Sequence, residues 1–337
     1  MTKKVSLAGS LLPAVLILAA PPVAPNAPKA PLGLLPVTWP ADNPYSPAKA
    51  DLGRILYFDK RLSADGTVSC ATCHDPKFGF TDGAPVSSGI KGQKGGRSAP
   101  TVLNRAWSLA QFWDGRAASL EAQAIGPMAN PIEMGNTHAA IVQQLVVIPG
   151  YKPLFRAAFG SGNIDIDLVA KAIATFERTL VSGDSPYDRW KAGHPNAMPA
   201  AALRGYHVFQ RAQCDACHEG HNFTSNMYSN IGVGADKPTP DAGRAGISKN
   251  EADWGAFKTP TLREVEHTGP YMHDGSLKTL EDVVEYYDKG GTPNKNLDSH
   301  IKPQHLRPEE KADLVAFLKA LSGRGWQHVA APASFPQ

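Results

Sequence analysis

Two short stretches hold the residues with the most obvious chemistry: CATCH at 70–74 and CDACH at 214–218. Together they use all 4 cysteines of the chain. C-x-x-C-H is the attachment pattern of c-type haem: Cys70 with Cys73, and Cys214 with Cys217, would each form thioethers to the vinyl groups of one haem. The histidine that follows, His74 or His218, then ligates the iron from below. Two other uses of these residues compete. Zinc pairs normally sit closer in sequence than the 144 residues between Cys73 and Cys217. Two C-x-x-C disulfides suit an exported redox protein but give His74 and His218 no role. The motifs therefore predict two covalently bound haem c groups. A haem with two strong axial ligands carries electrons, whereas an open position admits peroxide or O₂. What stands on the far side of each iron decides which.

The elements that must position these groups are mostly helical. DIDLVAKAIATFERTL (165–180) puts Leu168, Ala172, Ile173, Phe176 and Leu180 on one face. PAAALRGYHVFQRAQ (199–213) leads straight into the second motif. RPEEKADLVAFLKALSG (307–323) starts at Pro308, has acids in its first turn and ends at Gly323. KTLEDVVEYYDKGG (278–291) has Thr279 as N-cap and Asp282 three residues on, a variant of the capping box. Its apolar set, Leu280, Val283, Val284 and Tyr287, follows helical spacing, so Tyr287 faces inward and Tyr286 is turned away. Segments 76–100 and 220–260 have no helical period and read as long loops, of the kind that serve function or shield a cofactor. The fold expected is mainly α: two c-type-cytochrome-like haem domains with long loops and little β structure. The paired motifs suggest a duplication, although their flanks share little else by eye.

Across the whole chain, 337 residues leave room for two domains. A formal charge of +3 with no basic stripe argues against a nucleic-acid partner. Residues 1–25 read as a signal peptide: Lys3 and Lys4 precede an apolar run from Leu7 to Ala20, with cleavage expected within 20–31. That run is short for a membrane span. The rest divides into a Pro-rich linker (26–44), a first haem domain (45–190), a second (191–325) and a tail (326–337). The DSPYDRWKAGHPNAMP segment, 184–199, is the expected joint. The protein is expected to be exported to the periplasm, without stable membrane insertion.

In order along the chain, FDKRLSADGTVSCATCHDP, RSAPTVLNRAW, AQFWDGRAASLEAQAIGP, NPIEMGN, CDACH and KTPTLREVEHTGPYMHDGSLKTLEDVV closely resemble the bacterial di-haem cytochrome c peroxidases. That family includes the MauG-like enzymes, which oxidise a protein substrate on the same scaffold. The resemblance implies a peroxide-reactive haem in the first domain and an electron-transfer haem in the second. It places Glu133 as the distal acid–base residue, which can move a proton between the two peroxide oxygens if its pKa suits both steps. It places Trp113 between the haems as an oxidisable relay, and Arg116 beside it as partner of a propionate or an acid. It also implies a calcium ion between the domains. Its ligands would be the carbonyls of Thr268 and Pro270 and an oxygen of Ser98, where the family has asparagine.

Two departures from the conventional members matter. The loop histidine that caps their oxidised first haem is Ile90 here, and no histidine occurs between His74 and His138. The first iron is therefore expected to be open without prior reduction. Where those enzymes carry an axial methionine on the second haem, this chain has Tyr287, as MauG-like members do. A phenolate is a hard anionic ligand that favours oxidised iron. Met272 and Met227 are the other candidates. The function expected is peroxide reduction at the first haem with electrons passed through the second, in the MauG-like manner. The partners are hydrogen peroxide and an electron donor, either a protein substrate or a small reductant, and a homodimer is admitted. One alternative is a conventional peroxidase fed by a small c-type cytochrome. Another is a non-catalytic di-haem electron carrier.

Overall fold

A computed structural model describes residues 26–337, so the expected signal peptide lies outside the described residues. The chain is mostly helical, with one two-stranded antiparallel pair, Tyr228–Ser229 with Phe257–Lys258, inside the 220–260 loop. The four helices expected from the sequence occur as Ile166–Thr179, Ala200–Arg211, Leu280–Asp288 and Pro308–Lys319. Pro47–Phe58, Leu120–Ala129, His138–Val147 and Tyr151–Phe159 add to them.

Two apolar cores form. One gathers residues from Leu52 to Leu180, and the other from Met198 to Leu321. Each is built on one close helix crossing. In the first, helix Pro47–Phe58 meets helix Ile166–Thr179 at Gly53, where a Cβ would lie 1.9 Å from the Ala172 carbonyl oxygen. In the second, helix Ala200–Arg211 meets helix Pro308–Lys319 at Gly205, where a Cβ would lie 1.8 Å from the Asp313 oxygen. Only glycine permits such an approach, and it brings each haem motif against its own core.

The segments at either end are packed. Trp326 joins the first core, Gly150 N–H donates to the Gln337 carbonyl, and Arg61 donates to the Pro336 carbonyl. Asn43 is fully buried and Asp184 N–H donates to the Leu32 carbonyl. Tyr187 and Trp190, from the expected joint, pack on the second core.

The duplication runs much further than the two motifs. The backbone of 101–129 recurs at a constant offset, so that Gln111 and Ala117 bridge as Tyr271 and Leu277 do. Asn104, Phe112 and Gly115 have positive φ, as do Glu264, Met272 and Gly275. Thr101 and Thr261 each cap their own turn and donate to the carbonyl just before a positive-φ phenylalanine. Helices Leu120–Ala129 and Leu280–Asp288 start from equivalent N-caps, Ser119 and Thr279. The little similarity expected between the flanks is therefore corrected: many side chains diverged, but the turns, the hydrogen bonds and a few key residues such as Thr101/Thr261, Asp114/Asp274 and Leu120/Leu280 did not. The two halves meet at Ser182, whose N–H donates to the Asn104 side-chain oxygen and whose hydroxyl donates to the Glu264 carboxylate.

Candidate haem and peroxide site

His74 and His218 are held in the same way. The Nδ1 of His74 lies 3.2 Å from the Phe80 carbonyl, and that of His218 lies 3.1 Å from the Phe223 carbonyl. With Nδ1–H donating there, Nε2 carries the lone pair that a metal takes. Burial pushes both imidazoles below their ordinary pKa, His218 to about 4, so both stay neutral. None of the four cysteines is in a disulfide.

Beside the second motif a cavity opens whose walls include Cys214, Cys217, His218 and Tyr287. Tyr287 and Tyr286 divide their work as helical spacing predicts. The Tyr286 hydroxyl donates to the Ile231 carbonyl at 2.9 Å and accepts from Thr292 N–H at 3.1 Å, so it fastens the helix end. Tyr287 lines the cavity with no protein hydrogen-bond partner, and burial pushes its phenol up. Of the alternative ligands, Met272 also lines the cavity, whereas Met227 is 64% exposed.

The cavity also fits a dianionic group. Arg105 is 9% exposed and Lys258 3% exposed, both border it, and neither forms an ion pair. Arg105 donates to the Thr101 carbonyl; the Lys258 amino group has no partner in the protein. Burial, reinforced by their mutual repulsion, pushes Lys258 well down. Burial lowers Arg105 to about 10. The buried Glu177, itself pushed up to about 8 by burial, is the one carboxylate that acts on Arg105, and it forms no ion pair with it. Two adjacent buried cations so weakly compensated would suit haem propionates. The sequence reading missed both residues. Their signal was the repeated PT-x-L turn of SAPTVLNR and KTPTLRE, with a cation flanking each copy.

In the first half, a second cleft is lined by Phe112, Arg116, Pro127, Asn130 and Glu133. Burial raises the Glu133 pKa, against the pull of Arg116 and of a hydrogen bond from Asn130. Arg116 reaches Asp114 at 3.0 Å and stacks over the Phe112 ring at 3.5 Å. Ile90 is buried, donates its N–H to the Glu133 carbonyl at 2.8 Å, and packs over Gly135. The loop it belongs to is thus closed by an apolar plug beside Glu133.

Trp113 sits where the two halves join. Its Nε1–H donates to the Ser98 carbonyl at 2.9 Å, and its own carbonyl accepts from Lys258 N–H at 2.8 Å. The short hairpin of the 220–260 loop holds this turn: Arg244 donates to the Asp114 and Gly115 carbonyls and stacks on Tyr228. Ser98, Thr268 and Pro270, expected to share a calcium ion, border the same cavity, and Ser98 N–H donates to the His273 carbonyl.

The family model described as di-haem cytochrome c peroxidase matches residues 47–196. The methylamine utilization protein MauG of Methylorubrum extorquens is 46% identical over 289 residues, 85% of this chain and 81% of its own. A cytochrome c551 peroxidase of Nitrosomonas europaea is 42% identical over 285 residues, 84% of this chain and 82% of its own. The crystal structure of a MauG-like protein associated with microbial copper homeostasis superposes with a TM-score of 0.80 at 32% identity, covering 94% of this chain and 97% of its own.

Proposed function

The chain belongs to the di-haem cytochrome c peroxidase family, and on that premise we propose that it works in the MauG-like manner. As a haem peroxidase it acts on hydrogen peroxide, and membership implies two haem c groups. Bound iron supplies the site where peroxide is reduced; the residues below prepare that site. His74 and His218 would ligate the irons, and the four cysteines would fix the two groups by thioether bonds. Arg105 and Lys258 take up propionate charge.

The observation that carries the reading is the pairing of Pro127 with Tyr287. The two occupy equivalent positions on equivalent helices, each lining its own cavity. A proline side chain cannot ligate iron, and Ile90 removes the histidine that caps conventional members. The first site would therefore be open to peroxide in the oxidised protein, while Tyr287 would close the second. Glu133 accepts the proton of bound peroxide and returns it to the departing oxygen. Its cleft keeps the carboxylate partly dry, and Arg116 keeps it ionisable. Trp113 links the two sites through an indole that can give and regain an electron. Ser98, Thr268 and Pro270 would supply oxygen ligands to a calcium ion between the halves. The protein is exported to the periplasm and draws electrons from a protein substrate or small reductant. Among the described residues, no helix is long and apolar enough to cross a membrane.

One equivalent of hydrogen peroxide added to the fully oxidised holoprotein tests this. A prompt change in the haem spectrum without prior reduction is expected. A reaction only after one-electron reduction would overturn the open first site and favour the conventional peroxidase fed by a small c-type cytochrome. No reaction in either state would leave an electron carrier.

A further inference from the structure

We propose that Trp326 is a second redox-active tryptophan, separate from Trp113, which gives up an electron when peroxide is reduced without an external donor. The proposal rests on the family's peroxide chemistry and on three observations about one residue.

Trp326 comes from the last stretch of the chain, yet it is built into the first core. It is 8% exposed and the one tryptophan of the chain that is buried, the other five being only partly covered. Its ring packs edge-on against Phe80, with centroids 6.2 Å apart. Phe80 is the residue whose carbonyl orients His74, so Trp326 stands two contacts from the first proximal ligand. On its other side it meets His267, with centroids 6.0 Å apart, whose side chain is 46% exposed. The line from His74 through Phe80 and Trp326 thus runs to the surface.

The third observation selects Trp326 over its neighbour. Tyr57 is also fully buried and packs on Phe80. Oxidation of a phenol requires loss of its proton, and Tyr57 donates that proton to the His74 carbonyl, which cannot take it. An indole can lose an electron and keep its N–H. Trp326 Nε1 is buried without an acceptor, so its proton stays and the one-electron product is the cation radical.

The balance closes without a further reagent. Peroxide takes two electrons and two protons to give two waters. Trp326 losing two electrons in successive steps, with addition of a water oxygen to the ring and release of two protons, gives hydroxytryptophan. The sum is tryptophan and peroxide giving hydroxytryptophan and one water.

The test is peptide mapping by mass spectrometry of the oxidised holoprotein after a few equivalents of peroxide with no donor. Peroxide consumption followed in the same sample shows that turnover took place. Met227, 64% exposed, reports direct attack by dissolved peroxide. Trp254, partly covered and away from this line, reports non-selective tryptophan oxidation. One added oxygen at Trp326, severalfold above Trp254 and preceding Met227, is expected. Trp326 left unmodified while Trp113 is oxidised would overturn the proposal. So would Trp326 oxidised no more readily than Trp254.

Discussion

Pro127 and Tyr287 stand at the same position of two helices that begin from equivalent N-caps, and each borders its own half's cavity. One duplicated scaffold thus presents a side chain that cannot bind iron in one half and one that can in the other. Two substitutions exchange the roles. Tyr287→Phe removes the phenolate, and the second haem's potential is expected to rise by on the order of 0.1 V, within the range of about 0.8 V that axial ligands span. Pro127→Tyr is expected to close the first site and abolish the reaction of the oxidised protein with peroxide. Spectroelectrochemical titration checks the first, and stopped-flow mixing the second.

Glu133 must be ionised to accept a proton from peroxide. Burial raises its pKa, so the peroxide reaction is expected to fall off, as pH drops, earlier than an ordinary carboxylate near 4.3 would require. Arg116 lowers that pKa, so Arg116→Gln should move the acid limb to higher pH. Glu133→Gln should cost about 10²- to 10⁴-fold in the rate of peroxide reaction and remove the limb. A pH–rate profile of the three proteins is the measurement. An unchanged limb in the Arg116 variant would mean that another group titrates.

Lys258 offers a different handle on the second site. If it neutralises a propionate, Lys258→Met leaves that carboxylate unbalanced and stabilises the oxidised, more positive iron. The midpoint potential of the second haem should fall, and it should become pH-dependent as the freed propionate titrates. Lys258→Arg should restore both properties. A potential indifferent to all three side chains would place the propionates elsewhere.

The sequence was most readable where periodicity and covalent chemistry coincide. Tyr287 facing the cavity followed from its place in an apolar stripe, and His74 and His218 from their motifs. Arg105 and Lys258 escaped because a buried cation looks like any surface cation until the fold encloses it. The 101–129 repeat escaped for another reason. It is conserved in positive-φ turns and backbone hydrogen bonds, which Asn104 and Glu264, or Phe112 and Met272, satisfy with unlike side chains. The packing of 326–337 onto the first core depended on tertiary contacts of Trp326 and Gln337, and nothing in their local pattern announces those.

Gly53 and Gly205 provide the test of how far the halves are independent. Each lets the helix that precedes its haem motif lie against the last helix of its own core, with a carbonyl oxygen where a Cβ would be. Backbone on both sides cannot yield, so Gly205→Ala must push the Ala200–Arg211 and Pro308–Lys319 helices apart. Overpacking of this kind costs about 1–3 kcal/mol or more. The strain falls on the second core, which carries Cys214 on its edge. Gly205→Ala is therefore expected to lower the denaturant midpoint and to reduce haem at the second motif while sparing the first. Gly53→Ala should do the reverse, since Cys70 lies against the first core. Haem-to-protein ratios from haemochrome spectra, with mapping of the haem-bearing peptides, separate the two. Equal loss from both motifs in either variant would show that the cores fold as one unit through Ser182 and the Trp113 turn.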